Sequence, residues 1–333
     1  MKALLKSILP ETVLNMMKAS LKNDKQHRFQ SIINASTKAG LNVYPISDFY
    51  SPLPVISDLK RNMSRWCRPS ELVGIEYDIE TIKILLKNLE EQYSQELKGL
   101  KPYHEYQNTG YGPGSTELDA QLLYYMVREL KPANYMEVGS GLSTKYCSMA
   151  AQANAATGKP LNITCIEPYP YDMLYEIPQI EIIAKEVQDI EFSAFQRLEA
   201  GDILFIDSTH IAKIDSDVTY LILEVIPRLK QGVVIHIHDI AFPYNVPYPQ
   251  DLYIFGRKLP DWPWFFNEAI LLQAFLSYNT SYQIMASMPL LRYHDEEFLC
   301  RTISNYRTLS EYTVENQPKI GFPPCSIWIE KVK

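Results

Sequence analysis

The sequence has 333 residues, of which 46% are hydrophobic and 21% are charged, and its formal net charge is −7. A chain of this length can bury a large core and form one large domain or two ordinary ones, and the composition is that of a globular protein. Lys and Arg form no sustained run, and phosphate binding needs clustered cations. Nucleic acid is therefore not expected as a main partner.

The N-terminus and the cysteines bear on the compartment. No stretch of about 18 apolar residues occurs, so no membrane span is expected. The first 22 residues lack the apolar core of a signal peptide and predict an amphipathic helix packed on the protein itself. The five cysteines are odd in number and scattered, and no CxxC pair occurs. This usage is typical of reduced thiols, so a cytoplasmic protein is expected.

The first third of the chain predicts helices interrupted by prolines. Apolar residues recur at helical spacing from Tyr77 to Leu100, which indicates a helix. Residues 101–115 are rich in Gly, Pro and Tyr and predict a loop. Thr116 and Asp119 form a capping-box-like start for the next helix, which ends before Pro132. We expect a mainly helical N-terminal region over residues 1–114 and a second domain over residues 115–333.

Strands and helices alternate after residue 134. The predicted strands are Tyr135–Val138, Asn162–Ile166, Ile180–Val187, Ile203–Ile206, Val233–His238, Tyr282–Met285 and Ser326–Val332. The helices predicted between them are Ser143–Ala156, Phe192–Leu198, Ser216–Leu229 and Phe265–Tyr278. This alternation predicts a Rossmann-like α/β fold with a parallel sheet, which binds ligands at the carboxyl ends of its strands.

The first predicted strand runs into a glycine-containing loop, Glu137-Val138-Gly139-Ser140-Gly141-Leu142-Ser143-Thr144. Gly139 and Gly141 let the backbone turn sharply and approach a ligand, and the next helix presents free N–H groups. Thr144 stands where a dinucleotide-binding loop has its third glycine. Glu137 suits a cationic or hydroxyl-rich ligand better than a diphosphate. The ammonium and sulfonium of S-adenosylmethionine (SAM) fit this pattern.

Two further acidic residues follow the next predicted strands. Glu167 follows the second strand, where a carboxylate can accept both hydroxyls of a ribose. Asp189 is predicted at the end of the third strand, within reach of an adenine amino group. With Asp207 after the fourth strand, the predicted cofactor-binding residues are Glu137, Gly139, Gly141, Ser143, Thr144, Glu167, Asp189 and Asp207.

These motifs resemble those of class I SAM-dependent methyltransferases, and of one bacterial group among them. The resemblance rests on Glu137–Thr144, Cys165–Pro170, Val187–Asp189, Asp202–His210, Ser216–Val218 and His236–Ile240, and it extends to Phe49–Pro54 and Arg68–Leu72. It implies a seven-stranded sheet whose last strand, Ser326–Val332, is antiparallel. It also implies SAM as the cofactor and a helical N-terminal extension.

A second set of chemically active residues follows the fourth and fifth strands: Asp207, His210, His236, His238 and Asp239. Resemblance to catechol-type methyltransferases implies a metal held by Asp207, His238 and Asp239, with His210 or His236. A histidine ligand favours Mn, Fe or Zn over Mg. Alternatively, His210 or His238 acts as a metal-free base beside Asp207. In a third interpretation the set is structural, and His236 is its most buried member.

The segment Phe242–Trp264 carries seven aromatic residues and five prolines. A loop of this length is usually functional, so we expect a lid over the methyl donor. The sequence predicts a SAM-dependent methyltransferase that methylates a hydroxyl of a sugar, glycan or secondary metabolite. The alternatives are a metal-dependent enzyme with other chemistry on this fold, an NAD-dependent oxidoreductase, and a non-enzymatic SAM-binding protein.

Overall fold

The computed structural model describes residues 26–41, 43, 49–112, 115–255, 264–313 and 321–333. The helix predicted for the first 22 residues lies outside these ranges. The chain divides into two compact units, and the division falls between Met63 and Ser64. The boundary predicted after residue 114 stays a prediction. In the first unit, residues 26–38 form helix α1 and Ile56–Arg61 form α2.

The second unit contains a seven-stranded sheet with the order β3-β2-β1-β4-β5-β7-β6. The strands are β1 Asn134–Val138, β2 Asn162–Ile166, β3 Ile180–Ile183, β4 Ile203–Ile206, β5 Val234–His238, β6 Tyr282–Ala286 and β7 Ser326–Lys331. Strands β1 to β5 pair in parallel, whereas β7 runs antiparallel to both of its neighbours. The predicted Rossmann-like methyltransferase sheet is therefore confirmed. Its strand order reverses at β1 and β4, where such sheets bind ligands.

The other described helices follow in chain order. They are α3 Met63–Trp66, α4 Ile79–Lys98, α5 Tyr103–Gln107, α6 Glu117–Leu130, α7 Leu142–Ala155, α8 Asp217–Tyr220, α9 Gln250–Phe255, α10 Glu268–Leu276 and α11 Met288–Thr302. Helix α4 buries only the stripe Ile82, Leu86, Leu89 and Tyr93, as expected of an amphipathic surface helix. Helix α6 is buried from Leu118 to Arg128, so it lies in the interior. None of the described helices is long and apolar enough to cross a membrane.

The structure differs from the predicted elements in several places. The predicted helix Phe192–Leu198 is a 3₁₀ helix over Phe192–Arg197, and the predicted loop 101–115 contains the helix α5. Strand β3 ends at Ile183, and a 3₁₀ turn at Val187–Asp189 replaces its predicted end. The predicted helix Ser216–Leu229 is α8 followed by a π turn and a 3₁₀ turn. Pro227 explains this change, because proline donates no hydrogen bond and its ring crowds the preceding helical turn. Helix α11, which begins at the N-cap Ser287, was not predicted.

Candidate functional site

A cavity of about 230 Å³ opens at the carboxyl edge of the sheet, at the ends of β1 and β4. Five of the predicted cofactor-binding residues line it, namely Gly139, Gly141, Ser143, Glu167 and Asp207. Ser140, Leu142, Tyr171 and Ser208 complete the lining. Helix α7 begins at Leu142, so its N-terminal N–H groups lie at this cavity.

Gly139 brings the loops after β1 and β4 into contact. Its φ of +81° lies in the left-handed region, and a Cβ atom at this position would fall 1.9 Å from the backbone oxygen of Asp207. Only glycine fits a backbone that is both left-handed and this close to another chain segment. The absence of a side chain at residue 139 therefore places Asp207 at the cavity.

Glu137 and Thr144 lie beneath the loop instead of lining the cavity. Ser143 Oγ and Thr144 Oγ1 each donate a hydrogen bond of 2.5 Å to the Glu137 carboxylate, which has no solvent exposure. Burial raises the pKa of Glu137 to about 7. Both residues therefore tie α7 to the end of β1, and their part in cofactor binding stays a prediction.

Glu167 is held in place at the cavity by two backbone donors. The N–H of Ser140 donates to Oε2 at 3.2 Å, and the N–H of Tyr169 donates to Oε1 at 2.9 Å. Each carboxylate oxygen keeps a second lone pair for a ligand. Asp189, in contrast, is exposed and does not line the cavity. The prediction that it ends a strand is wrong, because β3 stops at Ile183.

Ser208 is a cavity residue that the sequence reasoning missed. Its Oγ is buried and has no hydrogen-bond partner within the described part of the chain. A buried hydroxyl without a partner is uncommon and calls for an explanation such as a missing ligand. The available signal was its position directly after Asp207, at the end of β4.

Four of the five predicted polar residues form a compact group beside the cavity. His210 Nε2 lies 3.2 Å from Asp207 Oδ1 and 3.5 Å from Asp239 Oδ2, and His238 Nδ1 lies 3.2 Å from Asp207 Oδ1. We call Asp207, His210, His238 and Asp239 the His/Asp cluster. Asp207 belongs to both the cluster and the cavity lining.

His236 does not belong to this cluster. Its ring stacks on Trp328 at a centroid distance of 3.9 Å and lies 4.6 Å from the ring of Phe205. Burial lowers its pKa to about 3, which keeps the ring neutral. Its two ring nitrogens have no hydrogen-bond partner among the described residues. His236 therefore packs in the core of the sheet and offers no ligand atom to the cluster.

Two buried carboxylates that the sequence reasoning did not assign to the site stand behind the histidines. Glu268 Oε2, at the start of α10, lies 2.8 Å from His210 Nδ1. Asp119 Oδ2, in the first turn of α6, lies 3.4 Å from His238 Nε2. The sequence marks Asp119 only as a helix-capping residue, and no local pattern marks Glu268. Their convergence on the cluster results from the tertiary fold.

The cluster and its neighbours combine two imidazoles with four carboxylates. Burial alone would lower the pKa of His210, but its contacts with Asp207 and Glu268 raise it to about 10. Burial would also lower the pKa of His238, but the charges of Asp207 and Asp239 raise it well above its ordinary value. Burial would raise the pKa of Asp207, but the nearby histidines hold it far below its usual range. The site therefore attracts positive charge, either protons or a metal ion.

The backbone of the cluster is held in an uncommon conformation. His210 has a φ of +59° and Asp239 a φ of +55°, in the left-handed region that non-glycine residues rarely adopt. Asp217 accepts hydrogen bonds from the N–H and Oγ1 of Thr209, and Asn267 Oδ1 accepts one from the N–H of Ala212. Such conformations cost roughly 1–3 kcal/mol and persist only where their surroundings impose them.

The aromatic segment after β5 is more ordered than predicted. Phe242 is fully buried, and Gln250–Phe255 form the helix α9, so the expectation of a structureless loop is wrong for this part. Residues 256–263 lie outside the described ranges, and the predicted lid stays a prediction. The ring of Phe266 stacks on Trp264 and lies 4.7 Å from the ring of His210, so aromatic side chains cover one side of the cluster.

Comparison with known proteins gives one match to a family model. Residues 136–240 match the model described as Methyltransferase domain (Methyltransf_24). This segment includes the loop after β1, Glu167 and the whole His/Asp cluster. The chain is also 28% identical over 179 residues to an uncharacterized protein of Archaeoglobus fulgidus; the match covers 48% of this chain and 76% of that protein.

Solved structures with similar folds include two from bacteria. The O-methyltransferase TomG of Streptomyces achromogenes, solved with SAM, is 10% identical with a TM-score of 0.40, and the match covers 83% of this chain and 96% of that one. A putative caffeoyl-CoA O-methyltransferase of Staphylococcus aureus is 17% identical with a TM-score of 0.36, and the match covers 60% and 92%.

Proposed function

We propose that the chain, whose residues 136–240 match a methyltransferase family model, transfers a methyl group from SAM to an oxygen atom of a small-molecule acceptor. The observation that carries the proposal is the position of Asp207. This residue lines the cavity at the strand-order reversal and is also a member of the His/Asp cluster. A cofactor in the cavity and an acceptor at the cluster would therefore be neighbours.

The cavity residues fit SAM. Glu167 offers two fixed carboxylate oxygens to the ribose hydroxyls, and Ser208 Oγ offers a buried hydroxyl without a partner. The loop Gly139–Gly141 gives the methionine part of the cofactor close access to the backbone. Asp207 provides a carboxylate at the cavity for the cofactor's ammonium group. Bound SAM would supply the electrophilic methyl group.

We also propose that the His/Asp cluster holds a divalent metal ion. Metal bonds of about 2.1 Å at right angles place ligand atoms about 3 Å apart, and the three nearest donor separations here are 3.2, 3.2 and 3.5 Å. The donor set also fits, because imidazole nitrogens and carboxylates are ordinary ligands of divalent metals. A bound cation would lower the pKa of an acceptor hydroxyl and orient it.

The geometry favours this metal site over a metal-free histidine base. A free base needs an open ring nitrogen, but both nitrogens of His210 lie within 3.2 Å of carboxylate oxygens. The two nitrogens of His238 lie 3.2 and 3.4 Å from carboxylate oxygens and make no hydrogen bond within the described part of the chain, which leaves them available to a buried cation. Both side chains are also only 8% exposed, whereas Asp207 is 24% exposed. The carboxylates therefore form the accessible face of the cluster. The chain's own contribution would be to align the acceptor with the methyl group.

The acceptor class follows from this face of the cluster. Carboxylates and a bound cation suit a substrate with hydroxyl groups that can approach the metal, such as a sugar or a secondary metabolite. Aromatic rings at Trp264 and Phe266 lie on one side of the cluster and could stack against a sugar or a planar ring. We therefore propose O-methylation of such a hydroxyl.

Calorimetric titration of SAM, S-adenosylhomocysteine and NAD⁺ into the full chain and into Glu167→Ala tests the cofactor assignment. The proposal expects micromolar binding of the two SAM-type ligands, no binding of NAD⁺, and a loss of affinity in Glu167→Ala. Absence of SAM and S-adenosylhomocysteine binding to the wild-type chain would overturn it. Glu199→Ala is the matched control, because this exposed carboxylate precedes β4 at the opposite edge of the sheet and should leave the affinity unchanged.

A second experiment separates methyl transfer from other metal chemistry on this fold. Asp207, His210 and His238 make a two-histidine, one-carboxylate set, which also occurs in iron-dependent oxygenases. Methyl transfer from labelled SAM to a panel of sugars and phenols should proceed without oxygen uptake and should fail in His238→Ala, which should still bind SAM. Metal-dependent oxygen uptake without methyl transfer would favour the other activity.

A further inference from the structure

The two carboxylates behind the histidines give the cluster an inner and an outer layer. Glu268 contacts His210 at 2.8 Å on the ring nitrogen opposite to the cluster, and Asp119 lies 3.4 Å from the corresponding nitrogen of His238 without a hydrogen bond. Both carboxylates are buried, with 1% and 0% side-chain exposure. Each histidine therefore lies between a buried outer carboxylate and the donors of the cluster.

Glu268 fixes the tautomer of His210. Its Oε2 lies 2.8 Å from Nδ1, so Nδ1 would keep its proton when Nε2 gives up its own to a metal ion. Nε2 lies 3.2 Å from Asp207 Oδ1 and 3.5 Å from Asp239 Oδ2. Without its proton, Nε2 and these two oxygens would be three acceptors pointing at one spot, an arrangement that a bound cation would stabilise.

Asp119 is held in place beside His238, where its Oδ2 lies 3.4 Å from Nε2 without a hydrogen bond. Its Oδ2 accepts hydrogen bonds from the N–H of Cys325 at 2.9 Å and from Thr116 Oγ1 at 2.7 Å, and its Oδ1 accepts one from Ser326 Oγ at 2.7 Å. Because Ser326 pairs with His238 across β7 and β5, the carboxylate is aligned with the end of β5. His238 Nε2 then faces Asp119 and Nδ1 faces the cluster.

We propose that Glu268 and Asp119 are positioning residues that hold His210 and His238 as neutral ligands of a transition-metal centre, with Mn²⁺ or Fe²⁺ preferred to Mg²⁺. The proposal rests on the metal site of the proposed function and adds two residues and a metal class to it. Metal-bound histidines usually donate their second N–H to a carboxylate or carbonyl, which sets the ring orientation and raises ligand basicity. Two nitrogen ligands also favour a transition metal over Mg²⁺, which prefers oxygen.

The test is metal binding by the full chain without SAM. Mn²⁺ and Mg²⁺ are titrated by calorimetry, and Co²⁺ is titrated by visible absorption, which reports the ligand field independently of activity. The wild-type chain is expected to bind Mn²⁺ at least about tenfold more tightly than Mg²⁺. Glu268→Ala and Asp119→Asn should each weaken Mn²⁺ binding by about 10- to 100-fold and shift the Co²⁺ spectrum. Glu268→Gln, which can still accept from Nδ1, should recover part of the affinity.

Asp202→Asn is the matched structural control. Asp202 is a buried carboxylate that accepts hydrogen bonds from the backbone of Ala133, Asn134 and Glu199 at the opposite edge of the sheet. Its substitution should lower stability without changing metal affinity or the Co²⁺ spectrum. If Asp119→Asn does not fold, as judged by circular dichroism, the Glu268 variants decide.

Unchanged Mn²⁺ affinity and an unchanged Co²⁺ spectrum in folded Glu268→Ala would overturn the proposal. So would equal affinity of the wild-type chain for Mn²⁺ and Mg²⁺, or binding of neither ion. Titration of SAM into the same preparations distinguishes failure of the metal-centre proposal from failure of the proposed methyltransferase function. A chain that binds SAM and transfers its methyl group without a metal would retain the proposed function and exclude the metal centre.

Discussion

Gly139 controls the site at the scale of a single residue. Gly139→Ala would put a methyl group 1.9 Å from the Asp207 carbonyl and would also impose a left-handed φ on alanine. The left-handed conformation alone costs roughly 1–2 kcal/mol. We expect a larger loss in the free energy of unfolding, together with loss of SAM binding, because the loop after β4 must move. Chemical denaturation and calorimetry measure the two effects.

Gly158→Ala is the control for this prediction. Gly158 has a φ of +77°, close to that of Gly139, but a Cβ atom there would meet nothing within 4 Å. It should therefore show the cost of the backbone conformation alone and should keep SAM binding. Equal losses of stability in the two variants, with SAM binding retained in both, would contradict the role given to Gly139.

Glu137 predicts a pH dependence of stability. Its folded pKa of about 7 lies above the ordinary value of 4.5, chiefly because of burial, so the folded state holds its proton more tightly than the unfolded state. The contribution of Glu137 to the free energy of unfolding is therefore fully present below pH 4.5 and is lost as the pH rises towards 7. The loss is roughly 3 kcal/mol by linkage, at about 1.4 kcal/mol per pKa unit. Glu137→Gln should not lose this stability.

Denaturant unfolding of both proteins at pH 4.5, 5.5, 6.5 and 7.5 checks this prediction. The difference in the free energy of unfolding between Glu137→Gln and the wild-type chain should grow with pH in favour of the variant. The comparison cancels the groups that titrate alike in both proteins. A difference that stays constant with pH would show that folding does not raise the pKa of Glu137 and would contradict the prediction.

At the scale of elements, β5 separates two histidines that the sequence presents together. His236 and His238 lie on the same face of the strand, but His236 pairs in register with Trp328 and His238 with Ser326. The large ring fills the space at His236, whereas the small side chain at Ser326 leaves room for Asp119 at His238. The identity of the paired residue on β7 thus decides which histidine reaches the cluster.

His236→Phe tests this separation. The variant removes two buried ring nitrogens that lack partners among the described residues and keeps an aromatic ring between Phe205 and Trp328. Leaving a buried polar group unsatisfied costs about 1–3 kcal/mol, so we expect unchanged or higher stability and unchanged binding of SAM and Mn²⁺. A fall in Mn²⁺ affinity without a fall in stability would assign His236 to the metal site.

The sequence predicts elements well where the pattern is local. The strands β1, β2, β4, β5 and β7 and the cap of α6 at Thr116 follow from apolar runs and a hydrogen-bonding side chain, and the structure has them at nearly the predicted bounds. Helix α11 was missed because it is kinked, with a non-helical backbone at Asp295. The end of β3 was misplaced because Val187 is apolar and buried but lies in a turn, where periodicity carries no information.

At the scale of the whole molecule, the sequence indicated which residues follow the strand ends but not which way they face. The position of Glu167 at the cavity and the grouping of Asp207, His210, His238 and Asp239 agree with the expected strand order. The burial of Glu137, by contrast, depends on Ser143 and Thr144 turning towards it. Asp119 lies 88 positions before Asp207 and Glu268 lies 61 positions after it, on a helix without a motif. Only tertiary packing brings the two carboxylates to the histidines.

The most direct test of the account is a crystal structure of the full chain with S-adenosylhomocysteine and Mn²⁺. The account predicts the nucleoside ribose on Glu167, the ligand's amino acid part at the Gly139–Gly141 loop, and Mn²⁺ on Asp207, His210, His238 and Asp239. Glu268 and Asp119 should hold the far nitrogens of the two histidines. S-adenosylhomocysteine bound away from Glu167, or Mn²⁺ bound away from the two histidines, would contradict the account.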